Sequence, residues 1–426
     1  MSYVLTGGVV ADLAGGEVRR ADLSVSEGRI GGAGVTEGAE RIDVSGCVVV
    51  PGNACAHHHL YSALARGMPG PAEPPRNFIE ILERVWWKLD VALDHDTIRL
   101  SAVMASVAAA RAGTTALVDH HASPRAIDGS LDTVAEGIQD AGVRGVVCYE
   151  TSDRHGRAGA QAGIAENARF LRQGGRPLVR GMAGGHASFT LGPATLEALV
   201  GTARDLGAPL HIHVAEDEHD QQDSVERYGH RVVHRLASAG ALEEGDLVAH
   251  GVRLYASEVQ TLVASGAWLA HNPRSNMNNG VGLPPVSRMG ERVALGSDGI
   301  DGDMFAEVRA CYLRARERSI EITPTWASRR LACGADVVGS LFGEPALGTL
   351  EPGAPGDLVV LDYDSPTPMT AANAAGHLVF GLNASHVRDV MVAGRWVVRS
   401  RRHELVDEAE LAARCREAAP KLWARM

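Results

Sequence analysis

His57-His58-His59 ends a short run at 53–59 that reads as a buried strand. Side chains alternate along a strand, so His57 and His59 point the same way, roughly 6.5–7 Å apart at the backbone. That separation suits two imidazoles converging on one ion, with His58 turned away to pack against a helix. Cys55 shares the parity of His57 and His59 but lies deeper, which makes it a packing residue rather than a ligand. Three further stretches complete the pattern: His211-Ile212-His213-Val214-Ala215-Glu216, Leu247-Val248-Ala249-His250 and Ala294-Leu295-Gly296-Ser297-Asp298-Gly299. Each lies on or just after another strand-like run. One such fragment is a weak signal; four in this order on separate strands are a strong one.

Outward from these fragments, the middle of the chain alternates strands with helical stretches. Strand runs fall at 53–59, 114–119, 143–149, 178–185, 209–214, 246–250, 267–271 and 293–298, with amphipathic segments at 97–112, 160–172, 193–206 and 224–238. Eight is the number that closes a parallel barrel, and the chemical residues sit at C-terminal strand ends, where such barrels assemble their sites. The expected fold class is α/β: a TIM (β/α)8 barrel of the metal-dependent hydrolase type, with a small β-sandwich domain built from both termini. The sandwich rests on Gly-broken strand runs in the first fifty residues and on similar runs at 357–362 and 387–398. The expected domains are 1–50 and 345–400 for the two parts of the sandwich, 51–344 for the barrel, and 401–426 for a polar helical tail. One excursion, 67–93, has a Pro-rich lead and a helix carrying Trp86 and Trp87. It reads as a lid over the barrel mouth or as a subunit contact, and a homodimer is the expected assembly.

The bulk numbers exclude several classes. Hydrophobic residues make up 45% and charged residues 22%, ordinary for a globular enzyme, while aromatics at 4% leave the core to Val, Leu and Ala. A net charge of −11 without a basic run argues against a nucleic acid or an anionic membrane as partner. Six widely spaced cysteines suggest buried thiols in a reducing compartment, and no apolar run approaches the ~20 residues of a membrane span. The N-terminus has no basic or apolar leader region, so a cytoplasmic location is expected.

Hydrolysis of an unreactive C–N bond needs a strong nucleophile at neutral pH, which a divalent ion supplies by lowering the pKa of its water from ~15.7 toward ~7. His57, His59 and His213 are the expected imidazole ligands and Asp298 the carboxylate ligand, a set that suits zinc and also accepts iron. Glu216, three residues after His213, is placed to take a proton from the water and pass it to a leaving nitrogen. His250 is placed to orient that water, and Asp298 to accept the second proton. His186 ends the fourth strand and is expected to contact a small-molecule substrate. Of the His120-His121 pair ending the second strand, one faces the cavity and the other caps a turn; the cavity position is assigned to His121. No Lys ends the fourth strand, where a two-metal site would need a carbamylated bridge, so one metal is expected.

Taken together, Pro51-Gly52 with His57-His58-His59-Leu60, His213-Val214-Ala215-Glu216, His271-Asn272-Pro273-Arg274-Ser275-Asn276-Met277 and Leu295-Gly296-Ser297-Asp298-Gly299 resemble the amidohydrolase superfamily. The branch is that of the cytosine, guanine, S-adenosylhomocysteine and triazine deaminases and chlorohydrolases. Within it, Asn77-Phe78-Ile79-Glu80-Ile81-Leu82-Glu83-Arg84-Val85-Trp86-Trp87, Asp119-His120-His121-Ala122-Ser123-Pro124 and Ser275-Asn276-Met277-Asn278-Asn279-Gly280 are similar to the SsnA group of aminohydrolases. The resemblance spans nearly the full chain. It implies a mononuclear site on His57, His59, His213 and Asp298, acid/base roles for Glu216 and His250, and substrate contacts from His186 and Asp90, the latter lying where deaminase relatives carry a lid carboxylate. The chain departs from the pattern at Asn53-Ala54-Cys55-Ala56 and carries His58 where a small polar residue is usual. The implied activity is hydrolytic removal of ammonia from an amidine-like C–NH2 of a purine, pyrimidine or related heterocycle. A ring-opening amidohydrolase, a formimino hydrolase or a chlorohydrolase would use the same activated water. A binding protein without turnover is disfavoured, because Glu216 has no evident structural duty that a Gln could not perform.

Overall fold

The strand Leu210–Val214 shows how the centre of the molecule forms. Leu210, Ile212 and Val214 join Leu196, Leu199, Val232 and Leu236 in one apolar cluster, while His211 and His213 take the opposite face. Both faces are buried, as in a parallel sheet covered by helices. The computed structural model describes residues 2–14, 16–31 and 38–426; Met1, Gly15 and 32–37, part of the expected N-terminal sandwich segment, lie outside the described residues.

The central strands are Asn53–His58, Thr114–His121, Arg144–Tyr149, Val179–Gly181 with Ala183–Ala187, Leu210–Val214, Leu247–His250, Trp268–His271 and Val293–Leu295. They pair in parallel throughout, in a four-stranded sheet ending at Val179–Gly181 and a five-stranded sheet starting at Ala183–Ala187. The expected single strand at 178–185 is thus two pieces that pair with different neighbours on either side of Met182. Gly184 belongs to this junction, because a Cβ there would lie 2.4 Å from the Tyr149 carbonyl oxygen. Isolated parallel bridges, Thr151 to Gly185 and His58 to Asp298, span the two seams between the sheets. Small side chains fill the inner face: Ala54, Ala56, Ala116, Val118, Val146, Cys148, Ala249, Ala270 and Ala294 share one cluster. That composition accounts for the scarcity of aromatics.

Helices fall between the strands, with Asp94 and Thr97 forming a reciprocal cap on His95–Arg111 and Pro193 opening Pro193–Asp205. The expected helix at 224–238 is two helices, Glu218–Tyr228 and Val232–Ser238, because Gly229 takes a left-handed turn (φ 71°) that ends the first. The 67–93 excursion folds as Phe78–Ile81, a π-helical turn Leu82–Trp86, and Trp87–Ala92. Arg84 pins its Pro-rich lead through the carbonyls of Glu73 and Pro74.

Strands from both ends of the chain meet in two further sheets. Cys47–Pro51 lies between Val9–Ala11 and the antiparallel Leu358–Asp362 in a seven-stranded sheet, and Ser2–Thr6 lies between Leu23–Ser26 and Glu40–Asp43 in a four-stranded one. Tyr3, Leu5, Val25, Val49, Leu358 and Met391 form a core common to the two. A buried bidentate pair, Arg144 with Asp357 at 2.8 and 2.9 Å, ties the central strands to this region. Arg402–His403 still pairs with Arg395–Arg399, so the sheet runs past the expected boundary at 400. The tail helix Glu408–Trp423, whose partner was not legible, buries Leu411 and Leu422 and sends Trp423 Nε1 to the Leu64 carbonyl at 2.8 Å. Among the described residues no helix is long and apolar enough to cross a membrane.

Candidate active site

Four side chains from three central strand ends converge. His59 Nε2 lies 3.3 Å from His213 Nε2 and 3.0 Å from Asp298 Oδ1, and His57 Nε2 lies 3.5 Å from the same oxygen. One ligand atom from each of His57, His59, His213 and Asp298 falls within 4.8 Å of every other. The outer nitrogens are all engaged: His59 Nδ1 donates to the His120 carbonyl at 2.6 Å, His213 Nδ1 to the His186 carbonyl at 2.7 Å, and His57 Nδ1 meets His211 Nε2 at 2.9 Å. A neutral imidazole whose Nδ1–H is held by an acceptor presents a lone pair on Nε2, the arrangement metal-binding histidines use. His57 Nε2 is fully buried and has no hydrogen-bond partner. Three nitrogens and an oxygen in this geometry fit a single zinc-type ion.

Charge in the cluster follows the same logic. Burial pushes the His57 and His213 imidazoles well below their usual range, which keeps them neutral. Burial works against His59 too, but the hydrogen bond and charge of Asp298 outweigh it and hold His59 up at about 9. Asp298 resists its own burial through His57 and His59, which keep it well below the ordinary carboxylate range.

Beside the cluster, His250 Nε2 lies 3.5 Å from Glu216 Oε2 and 3.9 Å from Asp298 Oδ2. Burial pushes Glu216 up to about 7, against the pull of His250. Backbone conformation aims all three. Ala215, His250 and Asp298 hold left-handed φ values of 48°, 74° and 55°, uncommon for residues other than Gly. Strict alternation would send His250 outward with Val248, which packs among the covering helices; the left-handed turn brings it in.

The pocket above these groups is lined by Phe78, Leu82, Trp86, Trp87 and Asp90 of the 67–93 segment and by Glu150, Arg154, His186 and Phe189. Its cavity is about 50 Å³, below the few hundred Å³ of ligand pockets. Both indoles are half-buried and line this pocket. Arg154 is consumed by its neighbours: it donates to Asp90 at 3.2 Å, to Glu150 at 2.5 Å and to Ser152, and stacks on Trp87 at 5.0 Å. Asp90, raised by burial to about 7 despite Arg154, keeps Oδ1 buried without a partner, as does Trp87 Nε1. His186 sits in the wall with Nδ1 on Thr190 Oγ1 at 2.6 Å, and burial lowers it to about 3.

The structure corrects two expectations. His121 lies outside the pocket wall, with Nε2 2.9 Å from Ser123 Oγ, while His120 stands against the ligands, its ring 4.6 Å from that of His213. Alternation from the inward Ala116 and Val118 sends His120 in and His121 out. Cys55 does not share a face with His57: the register shifts between Cys55 and His58, and Cys55 packs outward, 3.3 Å from Ser297 Oγ. His58 also faces Ser297, with Nδ1 at 2.9 Å. Sequence reasoning passed over His211, although it stands in period two with His213, and Glu150, although it follows directly on a central strand. Ser275, Asn276 and Asn279, which touch the acid/base groups, carried no such local signal.

The amidohydrolase family model matches residues 48–397. The chain is 30% identical over 449 aligned positions to a 5-methylthioadenosine/S-adenosylhomocysteine deaminase of Desulforudis audaxviator, covering 99% of each. It is 29% identical over 442 positions to a 5′-deoxyadenosine deaminase of Methanosarcina mazei, covering 100% of this chain and 98% of the relative. The crystal structure of an adenosine deaminase from Xanthomonas campestris with bound zinc shares the fold, with a TM-score of 0.87 at 22% identity over 99% of this chain and 98% of that one. The chain belongs to the amidohydrolase family.

Proposed function

We propose that this chain is a metal-dependent hydrolytic deaminase that converts the C–NH2 of an aminated nitrogen heterocycle to C=O and releases ammonia, with a 5′-deoxyadenosine-type nucleoside as the substrate class. The observation that carries the reading is the meeting of Glu216, His250 and Asp298 beside the His57, His59, His213 and Asp298 cluster. When bound, a single zinc ion supplies a water acidic enough to act as nucleophile near neutrality. Glu216, raised to about 7, takes a proton from the attacking water and gives it to the leaving nitrogen without a large energetic mismatch in either direction. His250 holds that water between Glu216 and Asp298; Asp298 receives the second proton as C=O forms and the C–N bond breaks, and that proton ends on the ring nitrogen, which restores the carboxylate. The unpartnered Asp90 Oδ1 and Trp87 Nε1 offer the substrate an acceptor and a donor, and His186 closes the wall beside them.

The architecture is read as a closed TIM (β/α)8 barrel over 51–344 with a lid at 67–93. The seam bridges His58–Asp298 and Thr151–Gly185 support closure. The two terminal sheets are read as one β-sandwich, supported by their common core. Six unpaired thiols support a cytoplasmic setting. The exposed Leu313, Ile320 and Phe380 support a homodimer, which sedimentation equilibrium tests.

Zinc-loaded protein should release ammonia from 5′-deoxyadenosine, 5′-methylthioadenosine or adenosine within a panel that also holds guanine, cytosine and aminotriazines. Silence across the panel at full metal occupancy sinks the deaminase reading. Chloride release from a chlorotriazine, or a ring-opened product, would replace it with the corresponding hydrolase.

A further inference from the structure

Helix Pro273–Asn278 has only six residues, yet it and the residue after it reach all three groups assigned to proton transfer. Ser275 Oγ donates to Asp298 Oδ2 at 2.5 Å. Asn276 Oδ1 lies 2.9 Å from His250 Nδ1. Asn279 Nδ2 donates to Glu216 Oε1 at 3.3 Å and lies 3.4 Å from Ser275 Oγ. Positions 275, 276 and 279 share one helical face, so a single turn serves all three. Six residues make no stable helix alone. The turn is anchored instead by Arg274, whose backbone N–H donates to Glu307 Oε1 at 2.9 Å and whose guanidinium pairs with Glu307 and with Asp301 at 2.8 Å. Glu307 is fully buried, and Asp301 follows three residues after Asp298. The anchor thus binds the turn to the loop that carries Asp298.

We propose that Ser275, Asn276 and Asn279 are positioning residues that fix the aim of Asp298, His250 and Glu216, an inference that rests on those three being the reacting set. An amide oxygen only accepts, so His250 carries a proton on Nδ1, and its Nε2, 3.5 Å from the Asn272 amide nitrogen, is turned toward Glu216 and Asp298. Ser275 occupies one oxygen of Asp298 and leaves Oδ1 to the imidazoles of His57 and His59. Asn279 occupies Oε1 of Glu216 and leaves Oε2 facing His250. In each case this turn holds the outer atom and leaves the inner one directed into the site. The clamp also opposes relaxation of the left-handed backbone at His250 and Asp298, a conformation that persists only when its surroundings over-determine it.

The test uses the zinc-loaded full chain and the panel substrate that turns over. Ser275→Ala, Asn276→Ala and Asn279→Ala should each lower kcat by roughly 10–100-fold, with KM and zinc content close to the parent. Ser275→Thr and Asn276→Asp keep the oxygen and should recover most of the loss. Met277→Ala, exposed on the same helix, should leave kcat unchanged. A selectively ¹⁵N-histidine-labelled spectrum, with His250 assigned by its absence in His250→Gln, should show the Nδ1–H tautomer in the parent and its loss in Asn276→Ala. An Nε2–H tautomer in the parent overturns the proposal without reference to activity. So do Ala variants that keep full kcat, or that lose zinc in step with kcat, while Glu216→Gln is inactive. Full activity in Glu216→Gln instead removes the reacting set on which the proposal stands.

Discussion

His57 Nδ1 lies 2.9 Å from His211 Nε2, and His211 Nδ1 in turn lies 3.7 Å from Cys148 Sγ. Cys148 donates to the Asp119 carbonyl, which leaves its sulfur free to accept from His211. With Cys148 donating to that carbonyl, His57 gives its Nδ1 proton to His211 and His211 gives its own toward sulfur, which leaves His57 Nε2 bare, the sense a metal-binding nitrogen requires. His211→Leu breaks the relay, and zinc affinity should fall by roughly 10–100-fold, the usual effect of removing the group behind a ligand. Competition with a calibrated chelator measures it. An affinity equal to the parent would remove the relay from the account.

Metal uptake should depend on pH in a stated direction. Without the ion, Asp298 holds His59 up at about 9, against its burial, so His59 carries a proton where the ion would bind. His57 and His213 are already neutral. Zinc binding then displaces one proton, and affinity rises about tenfold per pH unit up to about 9 and levels above it. Calorimetry in buffers of different ionisation enthalpy counts that proton directly; a count of zero at pH 7 contradicts the argument.

Arg144 and Asp357 make a buried bidentate pair, and Asp357 also accepts the Ala393 N–H at 2.8 Å. Removing one partner leaves an uncompensated buried charge. Arg144→Met alone should therefore destabilise by about 3–5 kcal/mol in denaturant unfolding, and the Arg144→Met, Asp357→Leu pair by clearly less. Equal losses in the single and double variants would mean that the ion pair contributes little beyond packing.

Gly299 stands directly against Trp86 of the 67–93 segment. A Cβ at this position would lie 2.7 Å from Trp86 Cη2, so Gly299→Ala must push the indole away from the pocket wall. KM should rise several-fold with kcat affected less, because the acid/base set is untouched. Steady-state kinetics with the panel substrate decide it. An unchanged KM would show that the indole shifts without consequence for binding.

Local pattern carried much of this molecule. Apolar alternation along 210–214 already separates His211 and His213 from the side chains that meet the covering helices, and the repeated strand–helix spacing located each of the central strands within a few residues. Hydrophobic periodicity is a short-range property, set by which side chains must leave water, so it can be read without coordinates.

What alternation could not supply is the aim of individual groups once the regular strand ends. A register shift turns Cys55 outward while His57 stays inward, and a left-handed backbone turns His250 inward although its strand parity points it out. The contacts of Ser275, Asn276 and Asn279 join segments that are distant along the chain, and the turn that bears them is held by Glu307. By itself, then, the amino-acid order determined which strands form and which side chains have the chemistry to bind an ion. Tertiary structure alone decided how those side chains are oriented and supported, because torsions at strand ends and distances between remote segments are settled by packing.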